Sequence, residues 1–475
     1  MMEERLLELP KGWVWTRLGE VSELILGQSP PSSTYNEDRK GIPFYQGKLE
    51  FGDIYPSPRK WCSSPKKIAE KNDILLSVRA PVGPTNICPE KSCIGRGLAA
   101  IRPMCGIESL FVLYLMRAYE NNIAKLGTGT TFKAITGNLL KDFKIPLPPL
   151  PEQYRIVNKI EELFTKLDAG VEALKKIKTQ LKRYRQAVLK FVFEGKLTRQ
   201  WREAHKGELE PASVLLEKIK EQRKKESEGK FKELPPIDTS ELPELPEGWV
   251  WTRVGEIYDI VGGGTPTTKV DKYWIGDIPW ITSADIIGLK DIRPRKYINK
   301  EAIEYSATNL VPKSSLIIVT RVGLGKVALT KYSLCFSQDC QALIGKNLQP
   351  HPDYSLYYLS QAAQIFKYQH RGTTISGVTK KQLSELLFPL PPLPEQHQIV
   401  AEIESRLSVA DQLEKVVEQS LKQTERLRQS ILKQAFEGKL VPQDPTDEPA
   451  EKLLERIRKE KESRGLIKQK SRRKK

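Results

Sequence analysis

Apolar residues recur at every third or fourth position in two long stretches of this chain. The first holds Ile156, Ile160, Leu163, Leu167, Val171, Leu174, Ile177, Leu181, Tyr184 and Val188. The second holds Ile399, Ile403, Leu407, Ala410, Leu413, Val417, Leu421, Thr424, Leu427 and Ile431. Lys, Arg and Glu fill the positions between, so both stretches predict long coiled-coil helices. Elsewhere the pattern shortens. Apolar β-like runs (Ile74–Val78, Leu316–Thr320) lie among loops rich in Gly, Pro, Ser and Thr, with amphipathic segments at Leu110–Arg117 and Tyr354–Phe366. That mixture predicts compact α+β domains with long loops.

The helix ends are written in the sequence. Each Pro of Leu-Pro-Pro-Leu pushes its predecessor out of the α region, so the approach is extended. Pro151 and Pro394 fit the first helical position, and Glu152 and Glu395 put negative charge at the amide end of the dipole. Gly195 and Gly438 supply a left-handed stop. The 44 residues from Pro151 to Glu194 would span about 66 Å as helix.

The chain is written twice. Leu9–Val21 (LPKGWVWTRLGEV) and Leu245–Ile257 (LPEGWVWTRVGEI) agree at ten of thirteen positions. Ile145–Gln153 (IPLPPLPEQ) returns as Phe388–Gln396, and Phe193–Leu197 (FEGKL) as Phe436–Leu440. Fainter echoes join Ile74–Arg79 to Leu316–Arg321, Gly129-Thr130-Thr131 to Gly372-Thr373-Thr374, and EPASVLLEKIKE from Glu210 to EPAEKLLERIRKE from Glu448. The edges of the copies are nearly identical while their interiors diverge. A shared scaffold carrying two different recognition surfaces is the expected reading.

The expected fold is therefore α+β, with an internal pseudo-twofold repeat. A first globular domain covers 1–148, a long helix 149–198, and a charged, Pro-rich linker with a short helix 199–244. A second domain covers 245–391, a second long helix 392–440, and a short helix with a basic tail 441–475. An amphipathic helix this long has no room to bury its stripe on its own small domain. Antiparallel pairing of the two helices is favoured over parallel pairing across a homodimer, with Ile160, Leu163, Leu167, Leu174, Leu181, Ile403, Leu407, Val417, Leu421 and Leu427 in the seam.

Composition narrows the function. The 475 residues carry a formal charge of +18, which suggests an acidic partner such as nucleic acid. Residues 1–150 contribute only +5, whereas 456–475 contribute +9. That basic run reads as a solvated end or, more sharply, as a phosphate-contacting arm. No run approaches the ~18 apolar residues of a membrane span, and the N-terminal segment lacks the apolar core of a secretory signal. Six cysteines without a Cys-x2-Cys pair, and four scattered histidines, read as reduced structural thiols of a cytoplasmic protein, with no metal site. Val322–Lys326 lacks the first glycine and the Ser/Thr of a phosphate loop, and neither a dinucleotide fingerprint nor a His-centred triad is written. The chain reads as a binding and organising protein without a catalytic site or a cofactor of its own.

Two divergent domains, each opened by LPxGWxWxxLG(E)-type text and closed by GTT and then PLPPLPEQ-x-x-I-V before a long helix, resemble the specificity subunit of type I restriction-modification systems. Asp73–Arg79 and Ser337-Gln338-Asp339-Cys340-Gln341 add to the likeness, which covers nearly the whole chain. The first copy reads Gly95-Arg96-Gly97-Leu98 where the second reads Ser337–Cys340, so carrying that motif's role into the first copy stays open here. The resemblance implies two target recognition domains, each reading one half of a split site in double-stranded DNA, with the paired helices as ruler. It implies two modification methyltransferase subunits bringing S-adenosylmethionine to methylate adenine, and restriction subunits bringing ATP and Mg. A stand-alone two-site DNA-binding protein and a coiled-coil scaffold are the rival readings.

Candidate DNA contacts are Gln28, Ser29, Tyr45, Gln46, Lys48, Arg79, Arg96, Thr130, Thr131 and Lys133 in the first domain. In the second they are Thr265, Thr267, Lys269, Trp280, Thr282, Ser283, Arg321, Gln338, Arg371, Thr373 and Thr374. Arg and Gln make bidentate contacts to guanine and adenine edges, while Lys and Thr more often hold phosphate. Arg79 and Arg321 each close an apolar strand, as base readers or as members of structural salt bridges. Trp13, Trp15, Trp249 and Trp251 lie in the near-identical frame and read as anchors of domain to helix.

Overall fold

The computed structural model describes residues 8–128, 134–226, 234–364, 366 and 377–472. They form two compact units, residues 1–176 with 417–475, and residues 177–416.

In the first unit, strand Val14–Arg17 pairs antiparallel with Lys144–Leu147, which brings the two ends of the domain together. A four-stranded antiparallel sheet runs in the order Ser22–Leu26, Leu98–Pro103, Ile74–Ser77, Thr85–Ile87. A second sheet places Ile42–Tyr45 parallel to Ser92–Ile94. Every residue of Ile74–Ser77 is buried. Alternate side chains of a strand leave opposite faces: Ile74 and Leu76 join the main core, and Leu75 joins a separate cluster with Tyr45, Ile94 and Leu98. Both faces are covered, which explains an apolar run without alternation.

The second unit repeats this plan. Val250–Arg253 pairs with Leu387–Leu390. Its four-stranded sheet runs Asp259–Gly262, Cys340–Ile344, Leu316–Val319, Val327–Leu329, and Ile278–Ile281 lies parallel to Cys335–Phe336. Leu316 and Ile318 enter one core while Ile317 and Val319 enter another.

The long helices span Leu150–Phe193 and Leu393–Phe436, each starting one residue before the Pro expected to open it. Within the first unit they are antiparallel: Asp168 meets Arg428, and the segment that follows the second helix brings Gln443 to Glu152 and Asp447 to Arg155 near the start of the first. Ile156, Val157, Ile160 and Phe164 share a core with Leu432, Ala435 and Phe436, and Phe111 and Phe436 pack edge to face at 5.6 Å. Within the second unit Arg185 pairs with Asp411 and Glu414, and Val192 shares a core with Ile399 and Ile403. Ile160, Leu181, Ile403 and Val417 are buried, and Leu163, Leu167, Leu174, Leu407 and Leu421 are half-buried. Leu427 is a correction, since it is 44% exposed. Its neighbour Arg428 takes the inward position, its guanidinium 4.8 Å from the centre of the Phe164 ring and paired with Asp168.

The near-identical edges form one joint, built once in each unit. Trp13 Nε1 donates to the buried Glu152 carboxylate at 2.9 Å, and Trp249 Nε1 to Glu395 at 2.8 Å. The tryptophans of the GWVW frame that pack in the core are thus anchors, as their repetition suggested. Gly195 and Gly438 have φ of +65° and +68°, and Lys196 N and Lys439 N reach back to the Phe191 and Gln434 carbonyls at 2.9 and 2.8 Å, a Schellman stop. A Cβ on Gly195 would lie 2.3 Å from Pro246 Cγ, and one on Gly438 2.1 Å from Pro10 Cγ, so both positions require glycine. The helix after each stop docks in the same way: Ala212 N donates to the Gly248 carbonyl, and Ala450 N to that of Gly12.

Candidate nucleic-acid interface

The site starts where the buried strand of each four-stranded sheet leaves the core. In the first unit Val78 N donates to the Gly97 carbonyl at 2.9 Å, and Ile135 N donates to the Val78 carbonyl at 3.0 Å. Arg79 emerges one residue later and is exposed. In the second unit Thr320 N donates to the Asp339 carbonyl, and Val378 N donates to the Thr320 carbonyl, each at 2.8 Å. Arg321 emerges one residue later, also exposed. The backbone thus fixes two arginines at equivalent exits from two rigid cores.

A cleft opens at each exit. The first, of about 550 Å³, is lined by Ser29, Gln46, Arg79, Ala80, Arg96, Gly97 and Ala134. The second, of about 330 Å³, is lined by Gly262, Gly263, Thr320, Arg321, Gln338, Cys340, Gln341, Gly377, Val378, Thr379 and Lys380. Among the described residues each lining holds two cations and at least one side-chain amide but no carboxylate, so both clefts favour an anionic or acceptor-rich ligand. A larger cleft of about 650 Å³ carries Lys196, Arg199, Arg202 and Lys206 against Glu194, Glu203, Glu244 and Glu247. Its charges balance, so it has no preference for an anionic ligand. Among the described residues the Arg79 and Arg321 guanidinium groups have no hydrogen-bond or ion-pair partner, which removes the salt-bridge reading there.

The divergent text at Gly95–Leu98 and Ser337–Cys340 folds into one turn. Gly95 N donates to the Tyr45 carbonyl at 2.8 Å, and Ser337 N to that of Ile281 at 2.9 Å. Leu98 N closes on Gly95 O and Cys340 N on Ser337 O. Arg96 and Gln338 therefore occupy the same turn position, both exposed. Arg96 N donates to Ser29 Oγ at 3.3 Å, and Thr265 Oγ1 donates to the Gln338 side-chain carbonyl. In the second cleft the side-chain carbonyl of Gln341 is buried, with no hydrogen-bond partner among the described residues.

Of the first domain's candidates, Ser29, Gln46, Arg79 and Arg96 come together, and Gln28 is exposed beside them, its amide held by the Ile94 carbonyl. Lys48 is exposed on a short helical turn and does not line the cleft. In the second domain Arg321 and Gln338 line the cleft, and Thr265 reaches it through Gln338. Thr267 and Lys269 are exposed on the following loop, and Thr282 Oγ1 is engaged with Asp285.

Three candidates are corrected to the core. Tyr45 is fully buried, on a strand hydrogen-bonded on both sides. Trp280 is 4% exposed, with its indole nitrogen donating to the Gly264 carbonyl. Ser283 is buried, its carbonyl accepting from Lys326 Nζ. Buried side chains offer no edge to a duplex. Thr130, Thr131, Lys133, Arg371, Thr373 and Thr374 lie outside the described residues. The sequence reading missed Gln341, Thr379 and Lys380. The signal was the segment after the second GTT, which returns to the strand exit through Val378.

Among the described residues no cluster of His, Cys, Asp and Glu suits a metal, and no helix is long and apolar enough to cross a membrane. The cysteines are free. Burial pushes the thiols of Cys88 and Cys335 up to about 11, which keeps them protonated and unreactive at neutral pH.

Comparison with known proteins fits this geometry. A family model described as the type I restriction modification DNA specificity domain matches twice, at residues 10–183 and 246–423. A putative type I restriction enzyme specificity subunit, MjaX, from Methanocaldococcus jannaschii is 42% identical over 193 residues, 40% of this chain and 44% of that protein. The EcoDI specificity subunit of Escherichia coli is 26% identical over 476 residues, covering 96% of this chain and 97% of its own. Two solved structures share the fold. A chain from a study of assembly and conformational transition in the type I R-M system has TM-score 0.65 at 22% identity, covering 91% of this chain and all of its own. The HsdS subunit from Thermoanaerobacter tengcongensis has TM-score 0.53 at 23% identity, covering 92% of this chain and all of its own. With the two matches spanning well over half its length, the chain belongs to the type I restriction-modification DNA specificity domain family, and it carries that domain twice.

Proposed function

We propose that this protein is the DNA-reading specificity subunit of a type I restriction-modification complex, with each cleft reading one half of a bipartite site. The observation that carries this is the pair of equivalent strand exits, each delivering an arginine that is unpaired among the described residues to a cleft whose described lining has no carboxylate. A rigid exit holds its side chain at a fixed height, which is what discrimination between base edges needs. The loops would hold phosphate, and the long helices would set the spacer between the half-sites. Modification subunits, two in our reading, would bring S-adenosylmethionine, and restriction subunits would bring ATP and Mg. This chain would contribute recognition and assembly, and no catalytic group.

Deleting seven residues, two helical turns, from both long helices in register tests the ruler. The preferred spacer should shorten while both half-sites keep their sequence. An unchanged spacer would remove the ruler, and loss of all salt-dependent binding to duplex DNA in the unmodified chain would remove the reading itself.

A further inference from the structure

Two loops lie beside the cleft in each domain, and they match between the copies bond by bond. One is the hairpin that carries the strand-exit arginine. Ser77 N donates to the Pro84 carbonyl at 2.8 Å, and Val319 N to that of Lys326 at 2.9 Å. Ala80 therefore stands where Val322 stands, directly after the arginine. The other is a capped turn. Gly47 N donates to the Glu50 carboxylate at 3.1 Å, and Thr282 N to that of Asp285 at 2.8 Å. The Glu50 and Asp285 carbonyls accept from Ser57 N and Arg293 N at 2.8 and 2.9 Å. Leu49 and Ala284 are thus equivalent tips. The first turn follows directly on Gln46 of the cleft, and the second accepts from Lys326 of the hairpin.

The copies exchange size between these tips. In the first domain the hairpin holds the small Ala80 and the turn holds Leu49, 78% exposed. In the second the turn holds Ala284 and the hairpin holds Val322, 60% exposed. Single exposed apolar residues are ordinary on a protein surface, but these two are held in place. Behind Leu49, Asn86 clasps Gly52 through both amides, each bond 2.9 Å. Behind Val322, Lys326 Nζ donates to the Ser283 and Ile286 carbonyls at 2.9 and 3.0 Å, and Gln364 Nε2 to that of Gly325 at 2.9 Å. Each domain thus keeps one branched apolar side chain in water at a fixed place near its arginines. Burial of that surface by a ligand would be favourable. In the major groove, where Arg and Gln find guanine and adenine, the apolar group on a base edge is the thymine 5-methyl.

The geometry points to Leu49 and Val322 as specificity-determining residues that read a thymine methyl, one in each half-site. This inference rests on the DNA-binding reading and deepens it: arginine and amide side chains select some positions by hydrogen bonds, and an apolar contact selects a thymine at another.

The test measures equilibrium binding of the full chain, and of its Leu49→Ala and Val322→Ala variants, to a duplex carrying the recognised site. Each thymine of either strand is then replaced in turn by deoxyuridine, which lacks only the methyl. The unmodified chain should lose about fourfold in affinity at one thymine of each half-site, the value for burying one methyl-sized group. Val322→Ala should abolish that loss in one half-site and keep it in the other, and Leu49→Ala should do the reverse. Val322→Thr, which keeps the shape and replaces one methyl by a hydroxyl, should abolish most of the loss that Val322→Ala abolishes. The salt dependence should stay the same throughout, since no charge is removed. A loss on deoxyuridine substitution that persists in both Ala variants overturns the inference. So do variants that weaken the thymine and deoxyuridine forms by the same factor, which would make these side chains structural. If the unmodified chain prefers its site over a scrambled duplex but is indifferent to every thymine methyl, the inference fails and the DNA reading stands. If it prefers neither duplex, both fail.

Discussion

The two clefts share a backbone and differ in what they present. Arg79 and Arg321 leave equivalent strands, and Arg96 and Gln338 stand at the same position of one turn. A guanidinium matches the paired acceptors of guanine, and an amide matches the acceptor and donor of adenine. Gln46 in the first cleft and Arg321 in the second give each cleft both kinds of group, so the difference between the proposed readers lies at the turn position held by Arg96 in one and Gln338 in the other. In the proposed reading, specificity would change by exchanging side chains at fixed exits while the joint between domain and helix stays the same. The joints differ too, though less visibly. Glu395 accepts from Trp249, Thr198 and Arg202, the last a partly buried ion pair at 2.8 Å. Glu152, in the equivalent place, has Trp13 and a longer hydrogen bond from Gln443.

The largest expected contrast lies in those joints. Glu395→Gln leaves Arg202 unpaired in a largely buried site and should destabilise the protein by about 3 kcal/mol, the low end for breaking such a pair. Glu152→Gln removes no ion pair and should cost about 1 kcal/mol or less. Denaturant unfolding of both variants checks this, and equal losses would erase the distinction.

The next contrast concerns the readers. Arg79→Ala and Arg321→Ala should each cost about 1–3 kcal/mol of discrimination, in separate half-sites. Binding to duplexes altered at one half-site at a time separates them. A finer version exchanges the turn residues. Arg96→Gln should shift one position of the first half-site from guanine toward adenine, and Gln338→Arg the reverse in the second. The salt slope should change little in a base swap, so a large change would reassign that residue to phosphate.

The smallest effect is in pH. Burial raises the Glu152 carboxyl above its usual range, against the opposing pull of the Trp13 hydrogen bond. The folded state therefore holds this proton to a higher pH than the unfolded chain does. The resulting stabilisation is complete below the unfolded pKa near 4.5 and is lost as pH rises through the folded value. Glu152→Gln should flatten that part of the stability profile, measured as midpoint against pH between about 4 and 7.

Much of the fold was legible because its causes are local or repeated. Periodic apolar positions gave both helices, Gly195 and Gly438 gave their stops, and the doubled text gave two like domains. The misreadings have physical causes. Tyr45 and Trp280 carry polar atoms in loop-flanked text, but their strands are covered on both faces, which no local pattern reveals. Leu427 fits the heptad, but Arg428 gains both a ring and a carboxylate by turning inward, a choice set by Phe164 and Asp168 far away in sequence. Which terminal helix docks on which domain is also a long-range matter. In the site, the strand-exit arginines were legible because they end apolar runs. Gln341 and Lys380 were not, since only the closed fold brings residues 377–380 beside Thr320.

The central claim is that each cleft reads its own half of a divided site. Its most direct test is selection of bound duplexes from a randomised pool by the unmodified chain and by Arg321→Ala, followed by sequencing. The account predicts a two-part motif for the unmodified chain, and for the variant the same motif with one position relaxed in a single half. A motif unchanged in both halves, or degraded equally in both, would contradict it.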